Sequence, residues 1–235
     1  DRAVTRRMPL MSALGFAVGI ALALVLPRQV AGQGAVRGTV KVLDKAGAAS
    51  ADLTDAIVFL ESDNAPRPTG LMNASVAMRL REFEPHVQIV AAGGSVAYPN
   101  QDPFSHNVFS NSSLGAFDLG LYRTGKSRAA TFPRAGVYAI YCNIHARMVN
   151  YVVAVKTSHV ARAAANGAFV LENVPAGSWR LHVWHERAPE HVETVQVPAD
   201  GLANLTVALD GRGFVAKPHT NKFGEAYATT RADRY

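Results

Sequence analysis

Beyond residue 34 the apolar residues of this chain recur at alternate positions in short runs, and clusters of Gly, Pro, Asn and Asp separate the runs. Val36-Arg-Gly-Thr-Val-Lys-Val-Leu is one such run, and Gly177-Ser-Trp-Arg-Leu-His-Val-Trp is another. Strand geometry turns successive side chains to opposite faces, so an alternating pattern marks a strand with one buried face. Alternation or β-branched enrichment predicts strands over 35–43, 56–61, 77–81, 86–91, 95–99, 107–110, 127–132, 137–142, 151–156, 168–172, 177–185, 193–197 and 205–209. No long stretch after residue 34 carries the apolar period of an amphipathic helix. The expected class is all-β.

The first 32 residues have another pattern. Arg2, Arg6 and Arg7 precede an apolar run from Met8 to Leu26, closed by Pro27 and Arg28. A basic start, an apolar stretch and the small residues Val30-Ala31-Gly32 describe a secretory signal peptide. As a helix the run would be about 28 Å long, enough to cross a bilayer core. The expectation is a signal peptide or, preferred on length, a retained single-pass anchor. The flanking arginines put its N-terminus in the cytoplasm and the rest of the chain on the periplasmic side.

Composition narrows the function classes. The 235 residues are 49% hydrophobic and 18% charged, ordinary for a globular protein. The net charge of +6 raises the question of nucleic acid. The basic residues form no stripe, however, and no zinc-finger, helix-turn-helix or P-loop spacing is present, so no nucleic-acid partner is expected. Hydrolase signatures such as G-x-S-x-G and H-E-x-x-H are missing as well. The single cysteine, Cys142, excludes an intramolecular disulfide. A lone thiol in an exported chain is prone to oxidation unless a metal holds it.

The candidate chemistry lies around that cysteine. Tyr141-Cys142-Asn-Ile-His145-Ala-Arg-Met148 sets a thiolate, an imidazole and a thioether at Cys-x2-His-x2-Met spacing. With 8 His and 5 Met in 235 residues, that coincidence has a chance of about 7 in 10,000. Upstream, Pro99-Asn-Gln-Asp-Pro-Phe-Ser-His106 supplies a second imidazole. Two His and one Cys with a weak axial Met form the ligand set of a mononuclear type 1 copper site. Strand alternation places Tyr138, Ile140 and Cys142 on one face, and a short loop returns His145 and Met148 to the same pole. Phe104, Phe109 and Ile144 are the expected apolar shell around the metal.

Residues 78–157 resemble the cupredoxin family, in particular short-loop, amicyanin-like members. Phe117-Asp-Leu-Gly-Leu-Tyr122 and Gly136-Val-Tyr-Ala-Ile-Tyr-Cys-Asn-Ile-His145 are similar to the plastocyanin-like methylamine-utilisation proteins. The resemblance implies a Greek-key sandwich, His106, Cys142 and His145 as equatorial copper ligands, and Met148 as the axial one. The sequence departs from it at Ala146, where many members carry Pro, which should loosen the loop without removing a ligand.

The flanks resemble a carboxypeptidase regulatory-like, or transthyretin-like, sandwich. That pattern is carried by Val36-Arg-Gly-Thr-Val, Ala56-Ile-Val-Phe-Leu and Asn166-Gly-Ala-Phe-Val-Leu-Glu-Asn-Val-Pro-Ala-Gly-Ser-Trp. The expected organisation is a sandwich split over 33–77 and 158–210, a cupredoxin block at 78–157 inserted at a loop, and an extended tail over 211–235. The tail is polar and aperiodic, a frayed terminus unless a partner ties it down. His182 and His185, three apart on a strand, point to opposite faces and cannot chelate together. Trp184 and His185 are expected to cap the sandwich edge.

Together these features imply a non-enzymatic, periplasmic one-electron carrier. Its partner would be a redox protein or a membrane protein complex, with no small-molecule substrate. Electrons would leave through His145, beside Arg147, toward an acidic partner surface. The alternative is a non-catalytic accessory subunit of a respiratory or photosynthetic membrane complex, using the fold for contacts.

Overall fold

The computed structural model describes residues 33–227, apart from 49 and 51. The apolar helix expected at 8–26 lies outside the described residues, as do 228–235 of the tail. Among the described residues the regular elements are strands, and no helix is long and apolar enough to cross a membrane. In chain order they are β1 (Gln33–Leu43), β2 (Ile57–Glu61), β3 (Asn73–Ser75), β4 (Ala77–Arg79), β5 (Glu82–Glu84), β6 (Val87–Ala91), β7 (Ser95–Pro99), β8 (His106–Ser110) and β9 (Phe117–Tyr122). They continue as β10 (Ser127–Thr131), β11 (Gly136–Cys142), β12 (His145–Val155), β13 (Val160–Arg162), β14 (Ala168–Pro175), β15 (Gly177–His185), β16 (Ala188–Val197) and β17 (Leu202–Asp210).

Two sheets come wholly from the segments flanking the ligand-bearing block. One has the order β14-β1-β17, with β1 antiparallel to β14 and parallel to β17. The other, β13-β2-β15-β16, is antiparallel. Sequence alternation explains their faces. β1 buries Val36, Val40 and Val42, β14 buries Phe169 and Leu171, and β15 buries Trp179, Leu181 and Val183. These side chains share one core with Val58, Leu60, Val195, Val207 and Leu209. Each fully buried aliphatic side chain contributes about 1.5–3 kcal/mol. The turn into β14 requires its glycine. Gly167 has φ +83, and a Cβ there would lie 2.1 Å from the Val40 carbonyl oxygen.

The intervening block forms two more sheets, β6-β12-β11-β8-β9 and β10-β7-β3, beside a β4-β5 hairpin. Tyr98, Val108, Phe132, Tyr138, Ile140, Cys142, Met148 and Val152 meet in their core. β3 precedes residue 78 yet pairs in parallel with β7, so this part of the fold draws on chain ahead of the sequence boundary.

A third cluster joins block to flanks. Ile57, Phe59 and Trp184 from the flanks pack with Val87, Val153 and Val155 from the block. Trp184 is therefore an interior residue rather than the edge cap expected from sequence. Polar contacts reinforce the junction. The Arg162 guanidinium, bonded to the Thr54 carbonyl within the flanks, donates across the junction to the Val87 carbonyl, and His86 Nε2 lies 3.0 Å from Glu186 Oε2.

The His86–Glu186 pair makes the junction sensitive to pH. The hydrogen bond to Glu186 raises His86 above its ordinary 6.5, against the opposing effect of burial. Burial alone would raise Glu186, but the hydrogen bond and charge of His86, with His185 and Arg187, hold it below 4.5. A raised histidine stabilises fully below 6.5 and loses that contribution as pH rises through its folded value. A lowered carboxyl stabilises above 4.5 and loses its contribution as pH falls through its folded value. The pair is thus strongest between pH 4.5 and 6.5. Denaturant titrations of Glu186→Gln should show a loss on the order of 1 kcal/mol at pH 6 and less at pH 8.5. An equal loss at both values would show that the pair does not carry the effect.

Candidate metal centre

Cys142 closes β11, a strand in which Tyr138, Ile140 and Cys142 are buried in alternation. A two-residue turn, Asn143-Ile144, leads directly into β12. Cys142 pairs with His145, whereas the preceding Tyr141 pairs with Val149. Residues 146–148 therefore bulge from the ladder. A bulge re-aims side chains that regular pairing would alternate between faces. It leaves Met148 buried in the same apolar cluster as Cys142, while Arg147 is exposed.

His106 opens β8, next to β11 in the sheet, and is fully buried. The loop before it is fixed by Asn100. Its Nδ2 donates to the Phe104 carbonyl at 2.8 Å, and its Oδ1 accepts the Asp102 N–H at 3.0 Å. Asp102 in turn lies 2.8 Å from His106 Nε2. An ionised carboxylate only accepts, so Nε2 carries the hydrogen and Nδ1 presents its lone pair.

The three donors converge. His106 Nδ1 is 3.6 Å from Cys142 Sγ, and His145 Nδ1 is 3.4 Å from it. The ligand atoms of His106, Cys142 and His145 lie within 4.8 Å of one another. Nitrogen and sulfur donors held ~2 Å from a shared ion are themselves ~3.5 Å apart. The donor set therefore fits a thiophilic metal ion. The imidazoles lie 4.9 Å apart between centroids, and the Phe104 ring packs against both, at 5.2 and 5.7 Å. Phe109 is buried against Tyr141. Ile144, expected in the apolar shell, is instead 45% exposed at the turn, because the tight hairpin leaves its tip in solvent.

Burial pushes the Cys142 thiol above its ordinary pKa, and the backbone N–H groups of Ile144, Asn107 and His145 act against that rise. A metal cation supplies the charge that burial denies the thiolate, so metal binding there releases a proton.

Asp102 was not visible as a functional residue in the sequence. Burial works to raise its carboxyl, but the Arg81 N–H, the His106 side chain and the Leu80 N–H together hold it below the usual range. Those N–H groups belong to the β4-β5 turn, where Leu80 and Arg81 have φ 55 and 62. Two left-handed residues match the hairpin turn of this length, though side chains other than Gly, Asn and Asp adopt it at a cost of about 1–2 kcal/mol each. The Asp102 carboxylate, 2.6 and 3.0 Å from the two nitrogens, offsets that cost. The Arg81 guanidinium covers the Phe104 ring at 5.3 Å. The turn thus supports the ring and the carboxylate that position His106.

The other histidines have separate roles. His182 Nδ1 pairs with Glu190 Oε1 at 2.8 Å, and its ring stacks on Phe59. His185 is buried and accepts the Arg187 N–H at 3.2 Å. The tail, aperiodic in sequence, is bonded to the ligand hairpin through His219, Lys222 and Tyr227.

No protein-family model matches the chain, and no curated protein matches it. Solved structures match part of it. A purple cupredoxin from Nitrosopumilus maritimus is 22% identical over 35% of this chain and 99% of its own, with a TM-score of 0.32. A Cu(I) amicyanin carrying a methionine-to-alanine mutation is 19% identical over 42% of this chain and 98% of its own, with a TM-score of 0.33. A copper-containing nitrite reductase from Thermus scotoductus is 23% identical, with a TM-score of 0.33. It covers 40% of this chain, which spans only 25% of the reductase. These matches reach less than half of the chain, so the assignment of the site rests on its own donors.

Replacing Asp102 by Asn weakens the hold on the His106 ring while conserving shape. Competition against a Cu(I) chelator should show affinity falling about 10–100-fold, the usual cost of losing such a supporting partner. An unchanged affinity would remove Asp102 from the site.

Proposed function

We propose that this chain is a one-electron carrier built on a single mononuclear copper site. The carrying observation is the convergence of the Cys142 sulfur with the Nδ1 atoms of His106 and His145. Bound there, copper supplies a one-electron Cu(II)/Cu(I) couple. Cys142, His106 and His145 would hold it, with the buried Met148 as a weak further donor. The protein's part is positioning. Asp102 fixes the His106 ring, and Phe104 and the core around Cys142 exclude water, so the donors are assembled before the metal arrives. Little rearrangement is then needed in either oxidation state.

The half-buried His145 is the exit toward the partner, and exposed Arg147 beside it favours an acidic partner surface. We read the chain as a carrier rather than an enzyme, held at the periplasmic face by its N-terminal apolar segment. Its partner is a redox protein or a membrane complex. The flanking sandwich, read as a carboxypeptidase regulatory-like module, supports the copper block through the cluster containing Trp184.

The copper-loaded, oxidised full chain should contain one copper per molecule and show an intense visible thiolate-to-copper band. Cys142→Ser should abolish the band, because a hydroxyl is a poor soft ligand. Met148→Leu should keep copper and raise the reduction potential, because loss of a donor weakens the binding of Cu(II) more than that of Cu(I). A full chain that takes up no copper under reconstitution would refute the reading.

A further inference from the structure

The ligand hairpin has a second support that the copper set does not explain. Five contacts tie the tail to it and to the neighbouring hairpin. The His219 N–H donates to the Ala146 carbonyl at 3.2 Å, and His219 Nε2 lies 3.0 Å from the His145 carbonyl oxygen. Both ring nitrogens face carbonyl oxygens, Nδ1 that of Thr220 at 2.8 Å, and in the Nε2–H tautomer the ring donates to His145. The Lys222 N–H donates to Asn143 Oδ1 at 2.8 Å, and the Tyr227 hydroxyl donates to the Cys142 carbonyl at 2.9 Å. The fifth contact joins Lys222 Nζ to Asp118 Oδ2 at 2.6 Å. Asp118 Oδ1 also accepts from Asn107 Nδ2 at 2.7 Å, and Asn107 follows the ligand His106.

The tail therefore bonds the ligand hairpin directly and reaches the segment of His106 through Asp118, with the His219 ring edge-on to Phe109 of β8 at 6.3 Å. It is itself fixed in shape. The Asn221 side-chain oxygen accepts the Phe223 and Glu225 N–H groups, and the Asn221 N–H donates to the Glu225 carbonyl. The His219 ring stacks on Tyr141, the residue before Cys142, at 4.4 Å and 26°. The region most in need of such support is the bulge at 146–148, where β12 has no ladder partner.

We propose that residues 217–227 are a brace that takes the place of ladder hydrogen bonds at the bulged ligand hairpin, with His219 as its central positioning residue. The inference rests on the copper reading for its purpose, but the bracing itself is a property of the chain. By satisfying the carbonyls of Cys142, His145 and Ala146, the brace restricts the opening motions through which a metal would escape and the donors would spread.

The test compares the full chain with His219→Ala, His219→Gln and Tyr227→Phe. In the metal-free proteins, amide hydrogen exchange over 143–148 should rise at least about tenfold in His219→Ala, with exchange in β1, β14 and β17 unchanged. Transfer of Cu(I) to a chelator should accelerate by a similar factor. His219→Gln, whose amide can still donate to the His145 carbonyl, should recover most of both effects. Tyr227→Phe should show a smaller increase of the same kind. Exchange at 143–148 within twofold of the parent in His219→Ala would overturn the brace, as would a rise spread equally through the flanking sandwich. If the parent chain binds no copper, the copper reading falls, and the exchange measurement still decides the brace.

Discussion

The structure depends on a thiol being buried between two imidazoles at the end of a strand. Burial raises the cost of ionising Cys142, and only a bound cation or a set of N–H donors can offset that cost. The fold supplies backbone donors from Asn107, Ile144 and His145, and it holds two ring nitrogens within 3.6 Å of the sulfur. Without a metal the thiol keeps its hydrogen and can donate it to one ring nitrogen, and the same three donors have the spacing that a thiophilic ion requires.

The surrounding architecture keeps those donors in register. The β11-β12 hairpin carries two of them, one on each side of a two-residue turn, and the bulge that follows sends Met148 back into the core. The third comes from β8, whose entry loop is locked by Asn100 and Asp102. Asp102 connects the metal pole to the left-handed Leu80-Arg81 turn, so an apparently remote hairpin shares in the positioning of His106. The flanking sandwich contributes through a shared apolar seam and the His86–Glu186 pair. The block is thus not self-contained: β3 and the tail lie outside 78–157 and both are bonded to it.

Much of this was legible in the sequence where one side chain reports one environment. Alternation located β1, β11 and β15, because each has one buried face. The spacing of Cys142, His145 and Met148 pointed to their chemistry. The start of β12 is not legible, because His-Ala-Arg-Met-Val-Asn has no apolar alternation and the bulge breaks its register. Asp102 was hidden because its partners, His106 across a Pro-containing turn and two amides some twenty residues earlier, leave no pattern of residue type. The tail was hidden for a related reason. Most of its bonds go to backbone carbonyls, which every residue has, so nothing in the ligand segment announces them.

The decisive measurement is X-ray absorption at the copper edge of the reconstituted full chain. One sulfur at short distance with two imidazole nitrogens is expected, and the sulfur contribution should vanish in Cys142→Ser. A copper environment of nitrogen and oxygen alone in the unaltered chain would contradict the assignment of Cys142, His106 and His145 as its ligands.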